Sequence, residues 1–201
     1  MNERMARSTE SEVAWAARVA QDLLEPLEER WRHTVRVVER ARSFRDVLDG
    51  GELEVLVAAA YVHDVGYAPD LAETEFHPLD GARFVRDAGH ERLAGLVAHH
   101  SASQAEAEER GLAEALGEFP AEDSRVARAL AYCDLTTGPD GEQVGVPERL
   151  AELAERLGED DPAVRAVRRE AIRLAAVVDE MESLLADHGA RPPREDSPFS
   201  R

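Results

Sequence analysis

A histidine and an aspartate stand side by side at the end of the most apolar stretch of this chain. Eight consecutive apolar residues, 55–62, lead directly into His63 and Asp64. Adjacent alanines favour helix over strand, and an all-apolar run predicts a helix buried on every side. Since a carboxylate is rarely buried unless it is paired or binds a metal, the doublet is interpreted either as a pair of metal ligands or as a buried ion pair.

Further histidines and a second aspartate occupy positions from which they could join the doublet. His33 lies within a predicted helix, and His77 precedes a proline, which is typical of a helix start. The pair His99-His100 ends a short predicted helix, where side chains can reach inward. Asp134 falls on an otherwise apolar helix face. A lone helical histidine is more often a core or surface residue, so the indication comes from the whole set.

Imidazole and carboxylate groups in mixture are typical ligands of transition metals. They suit Fe, Mn, Zn or Co better than Ca or Mg. Cys133 is the single cysteine, which argues against a structural zinc site. We therefore expect a divalent transition metal in a catalytic site, with Fe or Mn favoured and with Zn, Co and Ni also open.

The order of these residues resembles the signature of the HD-domain superfamily of metal-dependent phosphohydrolases. That signature contains an early histidine, a His-Asp doublet on a helix and a late aspartate. His33, the doublet His63-Asp64, and Asp134 match it in order. The resemblance extends from His33 to Thr137, roughly half of the chain.

Members of this superfamily with two metals have additional histidines, and this chain matches that extension as well. His77 stands ahead of a glycine-containing helix, and His99-His100 supply the later histidines. By resemblance, Asp64 would bridge two ions, and Asp64 and His77 would be catalytic. The implied ligands are His33, His63, Asp64 and Asp134 for one ion, and Asp64, His77, His99 and His100 for the other. Two such cations generate a nucleophilic hydroxide near neutral pH and bind phosphoryl oxygens.

The chain departs from several branches of the superfamily. Tyr67 stands where many members have a lysine after the glycine of the doublet. The segment after His99-His100 lacks the Gly-Tyr-Pro of cyclic-di-GMP phosphodiesterases, and the Glu-Asp pair of the alarmone hydrolases is missing. Because the sequence contains no lysine, arginines must supply any further positive charge for the substrate, and Arg83 and Arg149 are the candidates.

The function implied is that of a metal-dependent phosphohydrolase, either a phosphomonoesterase or a phosphodiesterase. Its dinuclear His/Asp centre would hydrolyse a small, nucleotide-like phosphoester. Two alternatives stay open: a mixed-valent di-iron oxygenase with the HD fold, and a metal- or nucleotide-binding module without turnover. The complete set of candidate ligands argues against the module.

The hydrophobic pattern predicts an all-α fold. Helical periodicity recurs along the chain without strand-like alternation, so we expect a single HD-type bundle of roughly eight or nine helices. We expect a loose tail at 1–9, the metal-binding domain at 10–189 and a disordered, proline-containing tail at 190–201. The Ala- and Glu-rich segment 101–117 has little periodicity and is predicted to be lid-like.

Composition limits the range of partners. A net charge of −18, from 24 basic and 42 acidic residues, argues against binding a nucleic-acid polymer. It still permits a small phosphorylated substrate, whose charge the metals would meet locally. The single cysteine fits a reducing cytoplasm, and no apolar stretch approaches the ~18 residues of a membrane span, so no membrane partner is expected. The oligomeric state is left open.

Metal removal should destabilise the protein, because the implied ligands come from separate predicted helices that bound ions would cross-link. A ligand that binds only the native state stabilises it by mass action. Chelation is therefore expected to lower the melting temperature by several degrees, reversibly on adding Mn or Fe(II). Chelation should lower the melting temperature of the Asp134→Asn variant by less than that of the wild type. Unchanged melting of protein that metal analysis shows to be stripped would contradict a shared metal centre.

Overall fold

The computed structural model describes residues 10–138 and 142–189. Within these residues it contains no β-strand, and its α-helices number ten. They are α1 Glu12–Leu24, α2 Glu28–Arg42, α3 Gly50–Val62, α4 His77–Asp87, α5 Glu91–Ala98, α6 Ser103–Arg110, α7 Ala113–Leu116, α8 Arg125–Leu135, α9 Val146–Leu157 and α10 Pro162–Asp187. Two short 3₁₀ turns, Ser43–Asp46 and Val65–Tyr67, follow α2 and α3. The prediction of an all-α fold is confirmed.

The apolar helix α3 lies at the centre of the bundle. Asp49 caps its N-terminus by accepting a hydrogen bond from the Glu52 backbone N–H at 3.0 Å. Helices α1, α2, α5 and α8 pack around it. Its run from Leu56 to Ala60 is therefore buried on all sides, as the sequence pattern predicts. The helix ends at Val62, which places the His-Asp doublet inside the bundle rather than on its surface.

Helices α2 and α8 both pack against α3 and against each other. His33 and Val37 share the buried face of α2, one turn apart. Helix α8 begins after Ser124, whose side chain accepts a hydrogen bond from the Ala127 backbone N–H at 3.1 Å, and it carries Asp134 in its last turn. The two helices thus bring His33 and Asp134 to the same end of α3.

A glycine allows the 3₁₀ turn after the doublet to touch the first turn of α4. A Cβ atom on Gly66 would lie 2.1 Å from the His77 carbonyl oxygen and 2.6 Å from the Gly81 backbone nitrogen. Neither backbone atom can give way as a flexible side chain would. The close contact places His77 beside the doublet.

A buried carboxylate fixes the loop that enters α4. Asp80, which is 3% exposed, accepts hydrogen bonds from the Thr74 backbone N–H at 3.0 Å and from the Thr74 hydroxyl at 2.8 Å. The same threonine oxygen accepts the Phe76 N–H at 3.3 Å. These bonds satisfy Asp80 and set the direction in which the chain reaches His77.

The segment 101–117, which was predicted to be lid-like, forms two packed helices, α6 and α7. Ala105 and Ala107 are buried where α6 packs against α10, and Leu116 is fully buried. Small alanine side chains let helices approach closely, so burial is achieved here without a strong apolar stripe. This segment accounts for the excess over the predicted number of helices.

The last two helices cover one side of the site. Helix α9 packs against α10, which Asp161 caps through a 2.8 Å hydrogen bond from the Ala163 N–H. The predicted tails, 1–9 and 190–201, lie outside the described residues. Among the helices described, none combines the length and apolarity that crossing a membrane requires.

Replacement of Gly66 by alanine should disturb the position of α4. We expect Gly66→Ala to destabilise the protein by about 1–3 kcal/mol, as overpacking of a close contact does. Gly50→Ala is the matched control, because a Cβ at Gly50 meets no atom of the described chain within 4 Å; it should stay within about 1 kcal/mol of wild type. Urea unfolding measures both, and equal stability of the two variants would contradict the proposed contact.

Candidate metal centre

Three side chains from α2 and the end of α3 form a first group of possible ligands. One ligand atom each from His33, His63 and Asp64 lies within 4.8 Å of the others, and all three residues are buried. Asp134 borders this group: its Oδ1 atom is 3.2 Å from His33 Nε2 and 3.9 Å from His63 Nε2. The four residues that the resemblance implied for one ion therefore meet in space.

A second group overlaps the first at Asp64. It contains Asp64, His77 and His100, again with ligand atoms within 4.8 Å of one another. His77 Nε2 is 3.4 Å from Asp64 Oδ1 and 3.3 Å from His100 Nε2. Because Asp64 belongs to both groups, its position suits a carboxylate that bridges two ions.

Backbone carbonyls orient the imidazoles toward the centre. His63 Nδ1 lies 2.8 Å from the Ala60 carbonyl oxygen, and His100 Nδ1 lies 2.6 Å from that of Val97. A carbonyl only accepts, so each Nδ1 must carry the proton and donate it. This orientation turns Nε2 of each ring toward the centre, as in metal-binding histidines.

A buried nitrogen in the centre is left unsatisfied by the protein. His63 is fully buried, and its Nε2 has no hydrogen-bond partner among the described residues. An unsatisfied buried polar atom costs about 1–3 kcal/mol, so native proteins rarely retain one without a reason. A cation bound between the carboxylates and imidazoles would supply the missing partner. The donor set therefore fits a divalent transition metal.

The two aspartates provide the negative charge that a cation site needs. Burial disfavours the charged form of Asp64, but His63 and the guanidinium of Arg30 outweigh it and hold the pKa of this carboxyl below its usual range. Burial likewise opposes ionisation of Asp134, and a hydrogen bond from His33 together with nearby His63 keeps its pKa well below the ordinary value. Both carboxylates are thus ionised at neutral pH.

His77 is held in the form that can bind a metal. Burial lowers the pKa of its imidazole well below the usual value, and this outweighs the opposing effect of Asp64. The ring also stacks against Tyr67, with centroids 4.0 Å apart. A neutral imidazole in a fixed orientation is the form required of a ligand.

Arg30 contacts the centre directly, although it was not among the site residues predicted from the sequence. Its Nη1 donates a 3.4 Å hydrogen bond to Asp64 Oδ2, and its guanidinium lies 4.0 Å from the centroid of the Tyr67 ring. A signal was available, because Arg30 precedes His33 by three residues and so shares its helix face.

Ser101, also missed, supports Asp134 from the opposite side of the cluster. Its hydroxyl donates a hydrogen bond to Asp134 Oδ2, while its carbonyl oxygen accepts one from Arg173 Nη2 at 3.2 Å. The residue has φ of 53°, which is uncommon for a non-glycine residue. Such strain persists where surrounding contacts fix it. No pattern in the sequence indicated this role.

The paired histidines separate, and the structure brings only one of them to the centre. His99 Nε2 lies 2.9 Å from the Phe119 carbonyl oxygen, on the other side of the chain from the cluster. His100 belongs to the second ligand group. Adjacent residues past the end of α5 point in different directions, and the carbonyl of Phe119 holds His99 away. The ligand role predicted for His99 does not agree with this placement.

The two arginines predicted to bind substrate also differ. Arg83 is on the surface, where it pairs with Glu73 at 3.3 Å, and it does not line the cleft that opens from the centre. Arg149 does line this cleft; it is 8% exposed and donates to Glu152 at 2.7 Å. The prediction for Arg83 therefore does not agree with the structure, whereas Arg149 lies where a substrate could reach it.

An all-α bundle with a buried His/Asp cluster at the base of a cleft is typical of a metal-dependent enzyme. Residues 30–137 match the family model of the HD domain, and the chain belongs to this family. The predicted resemblance is thereby confirmed. Neither the curated proteins nor the solved structures contain a significant match to the chain.

Single substitutions should separate the two ligand groups. We expect His33→Ala to empty the first metal position, and His77→Ala or His100→Ala to empty the second. Loss of a partner of a ligand already costs ~10–100-fold in metal affinity, and loss of a direct ligand should cost no less. Metal content per chain and metal titration measure the effect.

His99→Ala is the matched control for His100→Ala. His99→Ala removes the imidazole that contacts the Phe119 carbonyl oxygen through a hydrogen bond. This substitution should leave the metal content of the protein unchanged. Loss of metal from the His99 variant with retention in the His100 variant would reverse the roles assigned to these two residues.

Proposed function

We propose that this protein is a metal-dependent phosphohydrolase that acts on a small phosphoester. The observation that carries the proposal is the pair of ligand groups that share Asp64 at the base of an arginine-lined cleft. Membership of the HD-domain family supports the hydrolase class. The phosphoester substrate follows from the combination of His/Asp ligands with guanidinium groups, which together suit phosphoryl oxygens.

The proposed centre holds two divalent ions, with Fe or Mn favoured. The residues that would hold them are His33, His63, Asp64 and Asp134 for the first ion, and Asp64, His77 and His100 for the second. When bound, such ions lower the pKa of water and stabilise negative charge on phosphoryl oxygens. The buried surroundings keep the ligands in place and limit the access of bulk water.

Arg30 is proposed to orient the phosphoryl group. Its guanidinium lies beside Asp64 and over the Tyr67 ring, so it is held at the edge of the centre with a fixed direction. Planar guanidinium groups bind two phosphoryl oxygens at once, which fixes the orientation of the group as well as its position.

In hydrolysis the oxygen of water forms a bond to phosphorus, the ester P–O bond breaks, and the leaving oxygen departs with a proton.

The residues that line the cleft suit a small substrate. Its deepest residues are buried, among them Asp64 and His100, and α9 and α10 form one wall. Apolar side chains of this wall, including Leu153 and Val167, offer a surface for the non-phosphate part of the molecule. A nucleotide or a similar compact phosphoester fits this chemistry, since it joins a planar ring to a phosphate.

The test is hydrolysis of a panel of phosphomonoesters and phosphodiesters by protein loaded with Mn or Fe(II), together with metal analysis. We expect metal-dependent release of phosphate or alcohol by the wild type. Asp64→Asn should lower kcat by at least ~100-fold, because it removes the charge shared by both ligand groups. Arg36→Gln, a surface substitution in α2 away from the cleft, is the control and should retain activity.

Oxygen consumption during turnover distinguishes hydrolysis from oxidation by a di-iron pair. Hydrolysis needs no O2, so the rate should be the same in air and under nitrogen. Turnover that consumes O2 and stops under nitrogen would contradict the proposal. Absence of turnover on every substrate by fully loaded protein would favour a binding module instead.

A further inference from the structure

We propose that Arg149 and Arg156 form a second anion-binding subsite, so that the substrate is a phosphoester carrying a second anionic group, such as a further phosphate. This inference rests on the proposed phosphohydrolase function and deepens it. It concerns α9, which lies outside residues 30–137 that match the HD domain.

The cleft extends from the metal centre to α9. Asp64, His77 and His100 line its base, and Arg149 and Arg156 line its far side. A second, smaller pocket between α2 and α9 shares these two arginines with the cleft. Its lining consists of Glu29, Arg30, His33, Arg149 and Arg156. Guanidinium groups therefore face the cleft from two helices, within reach of a molecule whose phosphoryl group occupies the centre.

The contacts of Arg149 and Arg156 leave them short of negative charge. Among the ion pairs of the described residues, both share one carboxylate, that of Glu152, at 2.7 Å each. One carboxylate cannot neutralise two guanidinium groups, so a positive charge remains. Glu106 also lines the cleft, but Arg110 already pairs with it at 2.8 Å. Two guanidinium groups that share one paired carboxylate favour an anionic ligand on their side of the cleft.

The shared carboxylate also holds the two arginines in place. Arg149 and Arg156 flank Glu152 on α9 at spacings of three and four residues, which puts all three side chains on one helix face. The side chain of Arg149 is only 9% exposed, and a buried charge is costly unless a counter-charge meets it. Glu152 offers one negative charge to the two arginines, and a second anionic group of the substrate would supply the other at an already ordered site.

An apolar surface also lines this cleft. It is formed by side chains from α8, α9 and α10: Leu135, Leu153, Leu157, Ala163 and Val167. A ligand that reaches from the metal centre to the arginines in this cleft would lie beside these side chains. The lining therefore suits a compact molecule with two anionic groups and an apolar portion.

Binding of alkane bisphosphonates of increasing length tests the subsite, each compared with the alkylphosphonate of the same length. These probes are not hydrolysed and differ only in the second anionic group. Calorimetry on metal-loaded wild type should show at least one bisphosphonate binding about tenfold tighter than its partner, the effect expected from one additional charge-assisted hydrogen bond.

Arg156→Gln is the decisive variant, because Arg156 is partly exposed at 36% and its loss should not prevent folding. We expect it to abolish the tenfold preference while leaving alkylphosphonate binding unchanged. Arg149→Gln should act in the same direction, provided that its circular dichroism melt shows a folded protein. Arg168→Gln removes the same charge from α10, where Arg168 pairs with Glu159, and should keep the preference.

Several outcomes would overturn the subsite. They are equal binding of each matched pair by wild type, an unchanged preference in Arg156→Gln, or equal weakening of both probes in that variant. The last would mean that the arginine contacts the first phosphoryl group. If wild type hydrolyses no phosphoester yet shows the arginine-dependent preference, the proposed function fails while the anion subsite stands. Hydrolysis without any preference would support the proposed function and overturn the subsite.

Discussion

The buried carboxylate of Asp64 is the feature on which the rest of this structure depends. It follows the central helix α3 and belongs to both ligand groups, so the surrounding elements must supply positive charge or a metal to balance it. Four imidazoles, Arg30 and the neighbouring Asp134 converge on this point from α2, α4 and α8 and from the ends of α3 and α5. A site of this kind joins stability to chemistry, because ions that satisfy the carboxylates also connect the helices that carry them.

The second ligand group depends on backbone packing as much as on ligand types. His77 reaches Asp64 because Gly66 lets the 3₁₀ turn Val65–Tyr67 touch the start of α4. Asp80 then fixes the loop that enters this helix. Any side chain at Gly66 would push α4 away, so the geometry needed for a second ion rests on one missing Cβ atom.

The chain adds its own wall to the HD domain. Helices α9 and α10 lie beyond the matched residues, and they place arginines and apolar side chains opposite the metal centre. The distribution of charge is therefore uneven: the acidic excess of the whole chain coexists with an arginine cluster at the cleft that opens from the centre. Such local complementarity decides which small anions bind, whereas the net charge acts mainly on large polyanions.

Much of the fold and some of the residues of the candidate site could be predicted from the sequence. The all-apolar run predicted a buried α3 that leads into His63-Asp64. The types and the order of the residues were enough to predict that His33 and Asp134 lie beside this doublet. The structure alone decided between His99 and His100, and between Arg83 and Arg149, and it alone revealed Arg30, Ser101 and the helices within 101–117. The reason is physical. Periodicity indicates which face of a helix is buried. Past the end of a helix, the direction of a side chain depends on local backbone dihedrals and on distant partners such as the Phe119 carbonyl. These partners come into contact only once the helices have packed.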